Sequence, residues 1–115
     1  MAAKAARFLG EGHDLLLTDL VVAEVVYVLE SFYGVARPRV AELVRMILTF
    51  PAISVVDQEL LLRATEVHEM ERVDFADAYL VACAERAGDA VIASFDRSLD
   101  RVATVTRVEP GRTSR

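Results

Sequence analysis

Short apolar runs alternate with longer amphipathic stretches along this chain of 115 residues. The runs are too short for helices and are predicted to be strands, at 15–17, 53–56, 90–94 and 105–109. Most of them are continuously apolar, which is typical of parallel strands covered on both faces. The pattern therefore predicts an α/β sandwich with a mostly parallel sheet.

The stretches between the strands predict helices over 2–10, 19–33, 38–50, 58–70 and 74–87. Valines make the second of these ambiguous, but its length and its cap favour a helix over a strand. Thr18 and Asp57 are good N-caps, and Pro38 suits a first helical turn. Gly34 and Gly88 suit helix ends, as Gly10 and Gly12 do for the first helix.

Composition narrows the class of protein. Residues 1–110 are expected to form one domain, followed by a polar tail at 111–115. A single cysteine, Cys83, excludes an intramolecular disulfide and a cysteine-rich zinc site. No apolar run is long enough to cross a membrane, and no secretory signal is apparent, so a cytoplasmic protein is expected.

The formal net charge is −5, which argues against an avid, non-specific nucleic-acid binder but not against RNA as a substrate. Twelve of the 13 basic residues are arginine, and Lys4 is the only lysine. Arginine suits phosphate recognition, although genome composition can produce the same bias.

Several carboxylates lie beside strongly apolar segments. Glu24 falls within the apolar stripe of its predicted helix, where it is either a functional group or an edge residue that reaches water. Asp74 and Asp77 begin the last long helix, so capping and the helix dipole explain them without a function. Asp96 directly follows a strand, a common position both for ligand-binding groups and for turns.

Together, Glu24, Asp77 and Asp96 suggest carboxylates from separate segments that converge at one end of a sheet. Like charges in one place repel each other unless a cation neutralises them. Oxygen ligands select a hard cation, Mg²⁺ or Mn²⁺, which can bind phosphate and activate water. The sequence thus indicates a metal-dependent site.

Three stretches resemble the PIN-domain ribonucleases, especially the VapC-like toxins of type II toxin–antitoxin pairs: TDLVVAEVVYVLESFYG, DFADAYLVACAERAG and AVIASFDRSLDRV. The resemblance covers nearly the whole chain, in the family's order. It implies a three-layer α/β/α sandwich and Mg²⁺- or Mn²⁺-dependent cleavage of single-stranded RNA or RNA loops. It also implies a homodimer and a small antitoxin protein that blocks the acidic groove.

The resemblance assigns catalysis and metal binding to Glu24, Asp77 and Asp96, with Asp74 as an outer companion. Ser94 stands where the family's T-x-D signature has threonine. The family begins with a strand that carries a further aspartate, and this sequence has no such strand. A start codon placed too late, a fragment and a true loss are all open explanations.

Two other functions compete with the nuclease. The missing aspartate favours an inactive PIN-like module that dimerises or captures a partner. A phosphoacceptor receiver domain also clusters acids at a sheet edge, but it needs a lysine near the last strand. Tyr27, Phe32 and Tyr33 would form either a partner surface or part of the core, and Arg97 and Arg101 would either contact RNA or be solvated.

Overall fold

The computed structural model describes residues 14–88 and 91–111. In chain order its elements are β1 (Leu15–Leu17), α1 (Asp19–Ser31), α2 (Arg37–Leu48), β2 (Ile53–Val55), α3 (Gln58–Glu71), α4 (Phe75–Ala87), β3 (Val91–Ala93), a 3-10 helix (Arg97–Arg101) and β4 (Thr106–Val108). This order confirms the predicted alternation of strands and helices. The helix predicted over 2–10 lies outside the described residues.

Most helix boundaries follow the capping residues that the sequence offers. The Thr18 hydroxyl accepts a hydrogen bond from the Val21 amide, and the Asp57 carboxylate accepts one from the Leu60 amide. Pro38 lies in the first turn of α2, and Gly88 ends α4 in the left-handed conformation. Local sequence therefore fixes these helix ends by satisfying backbone groups that the helix itself leaves unpaired.

Strand pairing is parallel throughout the described chain, but it forms two separate pairs. In one pair β1 lies beside β2, with Leu15 opposite Ile53. In the other, β3 lies beside β4, with Val91 opposite Thr106. The predicted α/β class and parallel pairing are thus confirmed, whereas one continuous sheet is not seen among these residues.

The strands are less covered than their apolar sequence suggests. Leu17 and Val55 pack against the helices, yet Leu16 between its two neighbours is 65% exposed. In β3, Ile92 is buried while Val91 is 55% exposed. Side chains alternate along a strand, so helices that pack on one side leave the opposite side open. The expectation of full coverage on both faces is therefore wrong at these positions.

The core consists of two apolar clusters that share helices α3 and α4. The first contains Val22, Val26, Val40, Val44, Leu48, Leu61, Ala64, Phe75 and Ala82. The second contains Val67, Val73, Ala78, Val81, Ala84, Ile92, Leu99, Val102 and Val105. Because α4 contributes to both clusters, its position is fixed from two sides. No helix in the described ranges has the length and apolar character that a membrane span requires.

Candidate active site

A three-residue link between α3 and α4 sets the start of the candidate site. Arg72 ends α3 with a φ of 59°, in the left-handed region, so the chain reverses within a few residues. The next residue, Val73, is buried, and its carbonyl accepts hydrogen bonds from Arg37 Nη1 at 2.9 Å and from His68 Nδ1 at 2.6 Å. The backbone immediately before Asp74 is therefore held in place.

His68 anchors this link from within the core. Its side chain is fully buried, and its Nε2 lies 3.0 Å from Glu30 Oε2. Its ring also meets the Phe75 ring edge-on, with centroids 5.7 Å apart. A buried imidazole is costly unless both nitrogens have partners, and here both do. The partners of His68 are distant along the chain, so no local sequence pattern indicates this role.

Asp74 precedes the first residue of α4, yet its side chain makes no capping hydrogen bond. Its main-chain carbonyl accepts the first helical bond, from the Ala78 amide at 2.8 Å. The capping explanation for the Asp74 side chain is therefore wrong. The exposed carboxylate of Asp74 instead lies in a group of acids.

Ser94 connects the other two aspartates of this group. Its hydroxyl donates to Asp77 Oδ1 at 3.2 Å and accepts from the Asp96 amide at 3.0 Å. Ser94 itself is held at the end of β3, because its amide donates to the Val108 carbonyl at 3.0 Å. Asp96 also accepts a bond from the Ser98 amide at 2.9 Å and so caps the 3-10 helix. The first turn of α4 and the end of β3 are thereby tied together.

Asp74, Asp77 and Asp96 each offer a carboxylate oxygen, and these oxygens all lie within 4.8 Å of one another. Desolvation raises the pKa of Asp77, and the neighbouring Asp96 raises it further. Hydrogen bonding from Ser98 lowers the pKa of Asp96. The two adjacent carboxyl groups therefore interact, and the charged form is disfavoured at Asp77 and favoured at Asp96.

Glu24 is placed differently. It is exposed on α1 and lines a groove with Asp74, Phe75 and Tyr27, but it is not a member of the three-aspartate group. Of the three residues that the sequence selected, the fold thus brings Asp77 and Asp96 together, and it adds Asp74 in place of Glu24. The family resemblance gave Asp74 only an outer role.

Comparison with protein families gives one match, to the PIN domain, over residues 1–105. The chain belongs to the PIN-domain family. Comparisons with curated proteins and with solved structures give no significant match. PIN domains are generally nucleases that act on RNA or DNA and usually use divalent metals, so the match supports an enzyme of the nuclease kind.

The acidic group of this PIN domain suits a hard divalent cation. All of its donors are carboxylate oxygens. Desolvation and then the neighbouring Asp96 raise the pKa of Asp77, and a bound cation would offset both. Mg²⁺ typically takes only a few protein carboxylates and fills its remaining positions with water and phosphate oxygens. Asp74, Asp77 and Asp96 would hold such an ion, which when bound polarises a phosphodiester and activates water.

Proposed function

We propose that this PIN domain is a Mg²⁺- or Mn²⁺-dependent endoribonuclease of the VapC-like toxin kind. Its substrates are single-stranded RNA or RNA loops, and a small antitoxin protein neutralises it. The observation that carries the proposal is the convergence of the carboxylates of Asp74, Asp77 and Asp96 within 4.8 Å. Three like charges at this spacing repel each other, so a fold that keeps them together favours a cation as their partner.

Each acid has a distinct role in this proposal. Asp77 and Asp96, joined through Ser94, form the inner pair of metal ligands, and Asp74 completes the set. The charged form of Asp77 is disfavoured in the metal-free protein, first by desolvation and then by Asp96, and a bound cation would offset that cost. Glu24, on the groove that it shares with Asp74, acts from the rim on the water that attacks the phosphate. The Ser94 hydroxyl keeps the Asp77 carboxylate oriented towards the site.

Metal binding and RNA cleavage test this assignment together. Mn²⁺ is titrated calorimetrically into the wild-type protein and into Asp77→Asn, and cleavage of a labelled single-stranded RNA is followed with the same two proteins. The wild type should bind the ion and cut, whereas Asp77→Asn should lose about tenfold or more in affinity together with its cleavage.

The matched control is Asp14→Asn, the same change at an exposed aspartate that precedes β1. It should bind Mn²⁺ and cleave RNA as the wild type does. Cleavage that survives Asp77→Asn undiminished, in a preparation free of contaminating nuclease, would reject the assignment.

An exposed aromatic surface favours a protein partner for this nuclease. Tyr27, Phe32 and Tyr33 are 62%, 75% and 71% exposed, so the core-packing interpretation of these residues is wrong. Large exposed apolar groups in one region mark interaction sites more often than scattered ones do. We assign this surface, at the end of α1, to the homodimer, and we assign the groove of Glu24 and Asp74, which Tyr27 also lines, to the antitoxin.

The second candidate is an inactive PIN-like module that binds partners without cutting RNA. The position of Glu24 outside the three-aspartate group favours it, because the site then has fewer carboxylates than the resemblance implies. An absence of Mn²⁺ binding by the wild type, combined with tight binding of an antitoxin, would select this candidate over the nuclease.

A further inference from the structure

Most arginines in the described chain are neutralised by a nearby carboxylate. Ion pairs join Arg39 to Glu42, Arg45 to Glu69, Arg63 to Glu66 and Glu85, Arg86 to Asp57, and Arg107 to Asp100 and Glu109. These arginines have local structural explanations and do not call for a ligand.

Four arginines differ from this pattern. Within residues 14–88 and 91–111, no carboxylate lies at ion-pair distance from Arg37, Arg72, Arg97 or Arg101. Three of them, Arg37, Arg72 and Arg101, line one cleft of about 690 Å³ together with Met70 and Glu71. Three arginines and one carboxylate, that of Glu71, thus line this cleft in a chain whose net charge is −5. We call this feature the arginine cleft.

Hydrogen bonds to main-chain carbonyls hold two of these arginines in position. Arg101 Nη2 donates to the Glu71 carbonyl at 2.9 Å and to the Arg72 carbonyl at 3.2 Å. Arg37 Nη1 donates to the Val73 carbonyl at 2.9 Å. A guanidinium has five N–H donors, so these bonds leave several donors on each for a ligand. Because the positions are already fixed, a ligand would bind at a lower entropic cost.

The arginine cleft adjoins the three aspartates on two sides. Arg37 binds the carbonyl of Val73, which directly precedes Asp74. On the other side Arg101 belongs to the 3-10 helix that Asp96 caps. The cleft is thus connected to the acidic site through the backbone at Val73 and through the 3-10 helix.

We propose that Arg37, Arg72 and Arg101 bind the phosphodiester backbone of the single-stranded RNA substrate next to the phosphate that is cleaved. The inference rests on the proposed nuclease function and adds the surface that holds and orients the strand. A guanidinium binds phosphate through paired N–H donors, which a lone ammonium cannot do. The repulsion between the three arginines is relieved when the strand binds, just as a cation relieves the repulsion among the aspartates.

The test measures RNA binding without cleavage. Fluorescence anisotropy of a labelled single-stranded RNA is recorded in EDTA for the wild type, Arg72→Asn and Arg101→Gln across a series of salt concentrations. Asparagine tolerates the left-handed backbone at position 72, and glutamine keeps an N–H donor for the Glu71 and Arg72 carbonyls, so both variants should fold. Each should weaken binding about threefold to tenfold and reduce the slope of log Kd against log salt by ~0.7.

The matched control is Arg39→Gln, which removes an exposed arginine already paired with Glu42. It should change neither the affinity nor the salt slope. Unchanged binding in Arg72→Asn and Arg101→Gln, an equal loss in Arg39→Gln, or no RNA binding by the wild type would each overturn the proposal.

The two proposals fail in distinguishable ways. If the wild type cleaves RNA with Mn²⁺ but neither cleft substitution changes its RNA affinity, the arginine cleft is rejected as the strand-binding surface and the nuclease assignment is retained. If RNA affinity depends on Arg72 and Arg101 but the protein does not cleave RNA, the strand-binding cleft is retained and the nuclease assignment is rejected.

Discussion

At the scale of single residues, the candidate site contains a carboxyl group that lowers the stability of the metal-free fold. The pKa of Asp77 is raised first by desolvation and then by Asp96, which means that its charged form is unfavourable in the metal-free fold. Functional sites commonly carry such a cost, and removing it stabilises the protein while abolishing its activity.

We therefore expect Asp77→Asn to be more stable than the wild type without metal at neutral pH. The neutral amide removes the desolvation cost of a charged group and the repulsion from Asp96, and it can still accept a hydrogen bond from Ser94. The gain should be about 0.5–1 kcal/mol, a value reduced for solvent screening because Asp77 is partly exposed. Chemical denaturation in EDTA measures it. Added Mg²⁺ should raise the stability of the wild type and leave the variant unchanged. A variant less stable than the wild type in EDTA would contradict this account of Asp77.

The roles of Asp74 and Glu24 can be separated by parallel substitutions. Asp74 belongs to the three-aspartate group and Glu24 does not, so Asp74→Asn should weaken Mn²⁺ binding by about tenfold and Glu24→Gln should weaken it less. Isothermal titration with Mn²⁺ measures both affinities. Glu24→Gln should nevertheless slow RNA cleavage, because it removes the carboxylate proposed to act on water. A larger loss of affinity in Glu24→Gln than in Asp74→Asn would make Glu24 an inner ligand.

At the scale of elements, the link between helices α3 and α4 positions the site, and an ion pair joins the two helices. Arg63 on α3 donates to both Glu85 oxygens on α4, at 2.8 and 2.9 Å, and the Thr104 hydroxyl donates to the same carboxylate. Hydrogen bonds from Arg63 are the main cause that lowers the pKa of Glu85. A bidentate pair of this kind fixes how the two helices lie against each other.

Glu85→Gln should destabilise the protein by about 0.5–1 kcal/mol at neutral pH, a value reduced for solvent screening because Arg63 is partly exposed. Since the folded state lowers the pKa of Glu85, its contribution is complete above the unfolded value of 4.5 and is lost as the pH falls through the folded value. The wild type and the variant should thus become equally stable in acid. Urea unfolding at pH 7 and near pH 3 tests this, and a difference that persists unchanged in acid would refute it.

Local sequence predicts the elements better than their arrangement. Thr18, Asp57 and Gly88 satisfy backbone groups within a few residues, so their effect can be seen without the rest of the fold. Arg72 was not predicted as a helix end, because arginine has no preference for the left-handed region. Tertiary contacts of the neighbouring Val73 hold it there instead.

The sequence likewise predicts part of the candidate site, but not the full set of residues that the fold brings together. Asp77 and Asp96 stand out because each follows a structural boundary that the sequence shows. The grouping of Asp74 with them depends on the turn at Arg72 and on the buried contacts of His68, which join residues more than 30 positions apart. Such contacts leave no local pattern in a sequence.

At the scale of the whole molecule, the separate strand pairs and the exposed aromatic side chains bear on how the protein associates with other chains. The apolar strand sequences predict a covered sheet, but coverage depends on which neighbouring elements are present. Local composition cannot specify those neighbours. Leu16 and Val91 therefore remain exposed in the described chain despite their apolar character.

Phe32→Ser should weaken self-association with little effect on folding. Phe32 is 75% exposed and meets Tyr27 edge-on with centroids 6.4 Å apart, so the change should alter the free energy of unfolding by less than about 0.5 kcal/mol. Sedimentation velocity should show a shift towards monomer. Met46→Ser, at a 58% exposed apolar residue on α2, is the matched control and should leave association unchanged. Equal effects of the two substitutions would argue against a defined interface at the end of α1.

The membership of α4 in both apolar clusters has a consequence for cooperativity. A helix that belongs to two cores cannot detach from one without disturbing the other, so the described part of the chain should melt in a single transition rather than in two. The same helix begins at the acidic residues. An ion that settles there would protect backbone amides from exchange on both sides of the molecule, far beyond its own contacts.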